Sequence, residues 1–285
     1  MKFTDALKVY PQYILPQRAL STLMNKITRS KTPAVKNFLM NQVINHFNVD
    51  MRDSLIEDYR EFPTFNHFFT RELKPDIRPI CDEKGSIACP VDGAISQMGK
   101  IEGNQIFQAK GHSYSLEALI GCNESSKRFK DGDFATIYLS PKDYHRIHTP
   151  LSAKLTKMIH VPGKLFSVNT VTTENIPGLF ARNERVVNLF ETEAGPMAVI
   201  LVGAILVSSI ETVWAGTITP PYGEKVQHSD YKTGDIELSK GDELGRFNYG
   251  STAIVLFGEN KIEWDKVFSA DTKTKVGQRL GTILS

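Results

Sequence analysis

Apolar residues recur at two different periods along the chain, and the change falls near residue 84. Before it, the apolar residues of 15–27 and of 35–47 mostly follow helical spacing. Thr32 followed by Pro33 is a typical helix start, because a hydroxyl can cap the first turn and proline fits inside it. Four phenylalanines within residues 62–69 then predict a core segment or the edge of an apolar groove.

After residue 84, short apolar or alternating runs are separated by turns that contain glycine, as in DFATIYL, KLTKMIHV and STAIVLF. Ala194-Gly195-Pro196 predicts a hairpin turn, and YSLEALIG predicts one short helix. The pattern predicts an α+β fold that is predominantly β, with amphipathic N-terminal helices on a β-sandwich or barrel-like body. We divide the chain into a helical region, residues 1–62, and a β-rich region, residues 63–285.

The composition adds little to the fold prediction but indicates the cellular compartment of the protein. The chain has 285 residues, 41% of them hydrophobic and 23% charged, which is ordinary for a globular protein. Its three cysteines form no CxxC pair, which favours a reducing compartment. The longest apolar run, residues 197–210, is shorter than the roughly 20 residues that span a bilayer. No signal peptide is visible, so we expect a cytosolic protein or one on the cytosolic side of a membrane.

Charge is distributed unevenly along the chain. Residues 1–48 carry seven basic side chains and one acidic side chain, whereas the whole chain has a net charge of +2. From the helices alone, packing against the body is the simpler interpretation. The alternative is that a basic, amphipathic segment docks on an anionic membrane surface.

The segment SPKDYHRIHTP, residues 140–150, contains His145 and His148, three positions apart. Two histidines at this spacing can bind a metal on a helix, but neither an HExxH motif nor a cysteine pair accompanies them. Separate acid–base roles are an equally good interpretation. The simplest alternative is a pair of hydrogen-bonding loop histidines.

Two further stretches hold candidate chemistry. Asp92 lies in CPVDGAIS, where Asp-Gly ordinarily marks a turn but where an aspartate could also orient a histidine. Gly250-Ser251-Thr252 precedes a strongly apolar strand. Glycine lets other groups approach the backbone closely, so Ser251 could be presented there as a nucleophile.

Together these motifs resemble one family. PVDG, DYHRIHTP, VPGKLFSVN, LFARNERV, VGAILVSSIETVWAGTITPP, KGDELGRF and GST occur in the order seen in bacterial phosphatidylserine decarboxylases. The resemblance runs from about residue 62 to the end and more loosely through the N-terminal helices. One departure is Tyr249, where the family's cleavage motif typically has leucine, which affects the packing beside the cleaved bond.

The resemblance implies a proenzyme that cuts itself between Gly250 and Ser251, giving chains 1–250 and 251–285. Ser251 would attack the Gly250 carbonyl, His148 would be the base, and Asp92 would hold the His148 imidazole. Ser251 would become a pyruvoyl group, the cofactor, whose ketone forms a Schiff base with the substrate amine. His145 would be the proton donor in the decarboxylation of phosphatidylserine to phosphatidylethanolamine and CO₂.

The resemblance also implies the partners and the location. Phe166 and Ser167 would line the substrate site, and no metal or nucleic acid would take part. The two chains of the precursor would form a heterodimer, and a higher oligomer stays open. Because the substrate is an anionic lipid, the resemblance favours membrane docking for residues 1–62, with the protein peripheral on the cytoplasmic side of the cell membrane.

The sequence leaves three rival functions open. A serine hydrolase could use Ser251, His148 and Asp92 without cutting its own chain. A lipoyl-like β-module would fit the KGDELGRF segment, although no lysine lies at an obvious hairpin tip. A pyruvoyl decarboxylase of a soluble amino acid is disfavoured by the basic, apolar N-terminal segment.

Overall fold

The computed structural model describes residues 2–205, 209–232, 234–248 and 251–284. Within these ranges the helices are α1 Phe3–Val9, α2 Pro11–Ile14, α3 Gln17–Thr28, α4 Pro33–Phe47, α5 Phe65–Phe69, α6 Leu116–Ile120, α7 Asn123–Ser126, α8 Thr170–Asn175 and α9 Leu179–Arg182. The strands are β1 Ser86–Ala88, β2 Gly93–Lys100, β3 Gln105–Ala109, β4 His112–Ser115, β5 Asp133–Leu139, β6 Arg146–His148, β7 Ala153–Val161, β8 Arg185–Thr192, β9 Gly195–Val202, β10 Ile210–Thr212, β11 Gly216–Thr219, β12 Gln227–Asp230, β13 Glu237–Leu238, β14 Glu243–Phe247, β15 Ser251–Phe257, β16 Ile262–Trp264, β17 Lys273–Thr274 and β18 Arg279–Ile283.

The largest sheet is antiparallel and has the strand order β12-β7-β8-β9-β15-β5-β2-β17, with β13 also paired to β7. Strand β15 lies in its middle and is paired to β9 on one side and to β5 on the other. Every residue of β15 is buried, which confirms the apolar strand predicted for STAIVLF. The predicted hairpin at residues 194–196 and the helix in YSLEALIG are confirmed by β8–β9 and by α6.

Alternation along the central strands builds a separate apolar core on each face of this sheet. In β15, Ala253, Val255 and Phe257 belong to one core, whereas Ile254 and Leu256 belong to the other. Successive side chains of a strand point to opposite faces, so one continuous apolar run can fill both cores. We call the core that contains Val255 the first core and the core that contains Ile254 the second core.

Two smaller sheets cover the first core. One has the order β11-β10-β14-β6 and contributes Ile147, Leu244 and Phe247, and the other has the order β1-β18-β16 and contributes Ile87 and Leu280. This arrangement of stacked sheets confirms the α+β, sandwich-like prediction. The barrel-like alternative is not seen, because the strands of the described residues close into no barrel.

The N-terminal helices confirm the periodicity, but the most buried residues of α3 are polar. Its buried residues are Gln17, Ser21 and Thr28, whereas Leu23 is 55% exposed. The Gln17 side-chain oxygen accepts the Leu165 backbone N–H at 2.8 Å, which anchors α3 to the body. Of the large apolar residues of α3, Leu20, Met24 and Ile27 are half-buried, and Leu23 is left for solvent or for another partner.

Helix α4 begins after Thr32, as predicted, but the Thr32 side chain makes no capping hydrogen bond. Its buried face contacts the phenylalanine cluster of residues 62–69, which confirms that this cluster is a core segment. Lys36 is also buried, and its ammonium donates to the carbonyl oxygens of Arg60 and Phe62. No helix among the described residues is long and apolar enough to cross a bilayer.

Candidate active site

Ser251 is the first residue of the central strand β15 and is fully buried. Its Oγ has no hydrogen-bond partner among the described residues, although a buried hydroxyl usually has one. Because Ser251 alternates in phase with Ala253 and Val255, its side chain faces the first core. The predicted cleavage partner Gly250 and the neighbouring Tyr249 lie outside the described residues.

His148 ends strand β6, and both of its ring nitrogens are engaged. Nδ1 donates to the Gly241 carbonyl at 2.8 Å, so Nε2 carries the lone pair and accepts from the Tyr144 hydroxyl at 3.1 Å. Burial lowers the pKa of His148 below its ordinary value, which keeps the ring neutral at neutral pH. The ring also lines a cavity of 360 Å³ together with Glu243 and Arg146.

His145 precedes β6 and is completely buried against the Phe69 ring, with the two ring centroids 4.1 Å apart. Its Nδ1 donates to the Asp143 carbonyl at 2.8 Å, whereas its Nε2 has no partner in the described part of the chain. Burial lowers the pKa of His145 to about 3, so the ring is neutral and Nε2 presents a free lone pair.

The strand geometry separates the two histidines. The Phe247 N–H donates to the His145 carbonyl, which continues the β14–β6 pairing to His145. Side chains 145 and 147 therefore point to one face and side chains 146 and 148 to the other. Ile147 belongs to the first core, so His145 faces the same layer as Ser251 and His148 faces away from it.

Two histidine rings on opposite faces of a strand do not converge on one ion. Within residues 2–205, 209–232, 234–248 and 251–284, no group of three or more His, Cys, Asp and Glu side chains could hold a metal ion. The helical spacing considered for His145 and His148 is also not what the structure shows, because His148 ends the extended strand β6 and His145 immediately precedes that strand. The structure therefore holds the two imidazoles as separate groups, each with its own partners.

Asp92 is buried, and its carboxylate is held by partners distant in the sequence. Arg78 donates to both carboxylate oxygens, with the Nη2 distance at 2.6 Å, and Lys275 lies at 3.4 Å. The Val276 N–H donates to Oδ1 at 2.8 Å. No hydrogen bond joins Asp92 to His148 in the residues described. Its negative charge nevertheless raises the pKa of His148, which makes Asp92 an electrostatic neighbour of that ring.

The Asp92-Gly93 pair is more than a turn. A Cβ at Gly93 would lie 2.4 Å from the Tyr138 carbonyl oxygen, so only glycine fits this close approach to β5. The His148 N–H donates to the Pro90 carbonyl at 2.9 Å and ties β6 to the same segment. These two contacts place Asp92 between the central sheet and the histidine strand.

Phe166 and Ser167 contact the N-terminal segment. The Phe166 ring is buried and packs against Tyr13 with the centroids 5.0 Å apart. The Ser167 N–H donates to the Gln12 side-chain oxygen at 2.8 Å. In the structure as described, neither residue lines the cavities that contain Asp92 and His148. A substrate-binding role for the pair stays a prediction.

Three residues of the site were not identified from the sequence: Arg71, Arg78 and Tyr144. Arg78 is the main partner of Asp92, and Tyr144 holds His148. Arg71 and Arg78 lie just after the phenylalanine-rich stretch, and Tyr144 lies between the two histidines. Sequence position alone gave no reason to pair an arginine with Asp92, because most arginines are exposed.

The fold and the site define a mainly antiparallel protein in which one central strand begins at a buried serine whose hydroxyl has no partner among the described residues. A family model described as phosphatidylserine decarboxylase matches residues 65–282, and a second, described as PSD, matches residues 7–48. A Shewanella sediminis protein named phosphatidylserine decarboxylase proenzyme is 53% identical over 97% of both chains. A Bordetella pertussis protein of the same name is 49% identical over 98% of this chain and 95% of its own. The chain belongs to the phosphatidylserine decarboxylase family.

Proposed function

We propose that this enzyme decarboxylates phosphatidylserine to phosphatidylethanolamine with a pyruvoyl group that it makes from Ser251. The observation that supports this most directly is the buried Ser251 Oγ without a partner at the start of a central strand. Leaving a buried hydroxyl unpaired costs roughly 1–3 kcal/mol. The cost is understandable if this hydroxyl reacts with the chain itself, as the proenzyme names of the relatives suggest.

In the proposed self-cleavage, the Ser251 Oγ adds to the Gly250 carbonyl carbon and gives up its proton to a histidine. The bond from that carbon to the Ser251 nitrogen breaks, and the nitrogen takes up a proton, which leaves an ester. Removal of the Ser251 α-proton then expels the Gly250 carboxylate and leaves dehydroalanine. Addition of water releases ammonia and leaves the pyruvoyl group at the start of chain 251–285.

The buried, protein-enclosed position of Ser251 fits a small ketone that needs no separate binding loop. The pyruvoyl group supplies an electrophilic carbonyl for the substrate amine and an acceptor for the electron pair that CO₂ leaves behind. The chain's residues hold the two pieces together, because β15 is hydrogen-bonded to β5 and β9 along its length. This pairing supports a heterodimer of chains 1–250 and 251–285.

We assign the base for self-cleavage to His148, with Asp92 as its electrostatic partner, and the later proton transfer to His145. Both rings are neutral near pH 7, which a base requires. A neutral His145 can deliver a proton to the substrate carbon only after its Nε2 has received one. The strand geometry favours the reverse assignment, since His145 faces the layer of Ser251. Self-cleavage and decarboxylation by His145 and His148 variants separate the two assignments.

The N-terminal segment supports docking on an anionic membrane surface from the cytoplasmic side. Phe3, Ile14 and Phe38 are 79%, 87% and 62% exposed, and Leu23 of α3 is 55% exposed. All its basic residues except Lys36 are exposed. Each basic side chain near an anionic surface contributes about 1 kcal/mol to binding. Apolar and basic groups on one exposed segment would bring the active site to a substrate whose acyl chains stay in the bilayer.

Intact mass of the purified protein tests the proposal. The expected result is two chains, 1–250 and 251–285, with the smaller chain blocked at its N-terminus and reactive towards a carbonyl-specific hydrazide. Ser251→Ala is the control and should stay a single chain of 285 residues without a reactive carbonyl. A single intact chain in a preparation that decarboxylates phosphatidylserine would overturn the pyruvoyl mechanism, and an intact chain with esterase activity would favour the serine hydrolase.

A further inference from the structure

Among the described residues, Arg71 is a buried cation without an ion-pair partner. It follows helix α5 and is only 4% exposed. Its Nη2 donates to the Lys142 carbonyl at 3.0 Å, but Nε and Nη1 have no hydrogen-bond partner among the described residues. Its guanidinium also lies over the Phe68 ring, 5.6 Å from the centroid. A buried charge left unpaired is costly, so a fold that retains one calls for an explanation.

The neighbouring carboxylates do not pair with Arg71. Arg71 lines a cavity of 230 Å³, and Asp92 in the same cavity is already bound by Arg78 and Lys275. No ion pair within the described ranges joins Arg71 to a carboxylate. Lys142, which is exposed and lines the same cavity, also has no ion pair there. Asp50, Asp53 and Asp143 also line the cavity, but Asp50 pairs with Arg52, Asp53 pairs with Arg78, and Asp143 accepts the Ser140 N–H. Burial lowers the pKa of Arg71, and the charges of Asp92 and Asp143 oppose this without a direct contact. Among the described residues, Arg71 and Lys142 are therefore cations of the cavity without a carboxylate in contact.

The cavity adjoins the proposed proton-transfer group. Phe69 packs on His145, and the Arg146 side chain donates to the Thr70 carbonyl, so the segment that ends in Arg71 lies against the histidine strand. The positive charge of Arg71 is one cause of the lowered pKa of His145. An anion bound at Arg71 would therefore lie beside the place where the substrate carbon is protonated.

We propose that Arg71 and Lys142 bind the phosphodiester of the phospholipid headgroup. A guanidinium suits this group because its planar N–H donors match phosphate oxygens. The substrate also carries a carboxylate, but that group leaves as neutral CO₂. A desolvated cation on the carboxylate would stabilise the substrate more than the transition state and would slow the reaction. The phosphodiester keeps its charge throughout, so binding it lowers KM without opposing the chemistry.

This inference rests on the proposed function, but its test does not require self-cleavage or decarboxylation. In the uncleavable Ser251→Ala chain, calorimetry compares glycerophosphoethanolamine, which has a phosphodiester and no carboxylate, with serine and with inorganic phosphate. We expect glycerophosphoethanolamine to bind. Arg71→Gln should weaken this binding about tenfold or more, as is typical when hydrogen bonds between charged groups are lost. Lys142→Gln should also weaken it, and because Lys142 is exposed this variant tests the site even if Arg71→Gln fails to fold.

Arg128→Gln is the matched control, because it removes one positive charge from an exposed ion pair with Glu191 outside the cavity. Without ligand, Arg71→Gln should unfold at a temperature no lower than the parent, since it removes an uncompensated buried charge. In the cleaved enzyme, Arg71→Gln should raise KM for phosphatidylserine more than it lowers kcat.

Four results would overturn the site. The first is that glycerophosphoethanolamine does not bind to the parent, and the second is that both cavity variants bind it as tightly as the parent does. The third is that the cavity variants lose only the binding of serine, which would place the carboxylate at this site. The fourth is that they lose only the binding of inorganic phosphate. Arg71-dependent binding together with a protein that never cuts itself would instead overturn the proposed function and leave the site standing.

Discussion

The Tyr144 hydroxyl donates a hydrogen bond to Nε2 of His148 over 3.1 Å, and the two rings stack with their centroids 5.6 Å apart. Burial raises the pKa of Tyr144 to about 12, so the hydroxyl stays a donor at any working pH. This bond occupies the lone pair that His148 would use as a base. It also stabilises the neutral ring, and so holds the pKa of His148 down.

Tyr144→Phe should therefore raise the pKa of His148 and move the acid limb of self-cleavage to higher pH. A base works only when it is unprotonated, so a higher pKa means that the rate starts to fall at a higher pH. The measurement is the rate at which uncut chain from a cell-free synthesis disappears across a pH series. Tyr231→Phe is the control, because Tyr231 contacts Trp214 and lines neither of the cavities that contain Asp92 and His148. An unchanged pH profile would argue that His148 is not the base.

Separate variants should assign the two histidines. His148→Ala, Asp92→Ala and Ser251→Ala are expected to accumulate uncut chain, because each removes part of the proposed cleavage machinery. His145→Ala should still cut itself but should lose decarboxylation by about 10²–10⁴-fold, which is typical for one acid–base group. A gel and a CO₂-release assay on the same samples provide the readout.

His228→Ala is the matched control for these variants, because His228 is exposed on the edge strand β12. Uncut His145→Ala together with cut His148→Ala would reverse the assignment, in agreement with the strand geometry. If both variants are cut and active, His145 and His148 have no part in the mechanism.

Acid should destabilise the fold through His145. Burial lowers the pKa of His145 from the ordinary 6.5 to about 3. Between these two pH values the unfolded chain binds a proton at His145 that the folded chain does not bind. The contribution of the neutral His145 ring to the free energy of unfolding is fully present above pH 6.5, the pKa in the unfolded chain. This contribution is lost as the pH falls towards 3. Over that window the free energy of unfolding should fall by about 1.4 kcal/mol per pH unit from this group.

Urea unfolding of the Ser251→Ala chain at a series of pH values measures this slope, with Ser251→Ala/His145→Gln as the comparison. The double variant should be less stable than the parent near neutral pH but should lose less stability on acidification. Parallel slopes for the two chains would show that His145 is protonated in the folded state or is accessible to water.

Replacing exposed apolar side chains should weaken membrane binding without disturbing the body. Phe3→Ser, Ile14→Ser and Phe38→Ser together remove three side chains that the fold leaves outside. Each inserted side chain of this size contributes about 1.5–3 kcal/mol, so co-sedimentation with phosphatidylserine vesicles should fall by about tenfold or more. Added salt should weaken the remaining binding by screening the basic residues.

Val267→Ser is the control for this experiment, because Val267 is 71% exposed but lies in the C-terminal part of the chain. Self-cleavage of the triple variant should match that of the parent, which separates lipid binding from folding. Equal vesicle binding by the parent and the triple variant would leave the N-terminal helices with a structural role only.

Local patterns in the sequence determined much of this protein. The run from Ser251 to Phe257 specified a strand buried on both faces, because every position in it is small or apolar except the two hydroxyls at its start. Helical spacing and Thr32-Pro33 located α3 and α4. These features depend on neighbours within a few residues, which is the range over which periodicity and turn chemistry act.

The tertiary structure decided which polar groups have partners. Asp92 was expected beside His148, but Arg78 binds its carboxylate, and its backbone donor Val276 lies 184 residues further along the chain. The most buried residues of α3 are polar, and Gln17 is one of them because it meets Leu165, a contact that no helical pattern contains. Arg71 is left without a carboxylate for the same reason, since pairing depends on which distant segments pack together and not on spacing along the chain.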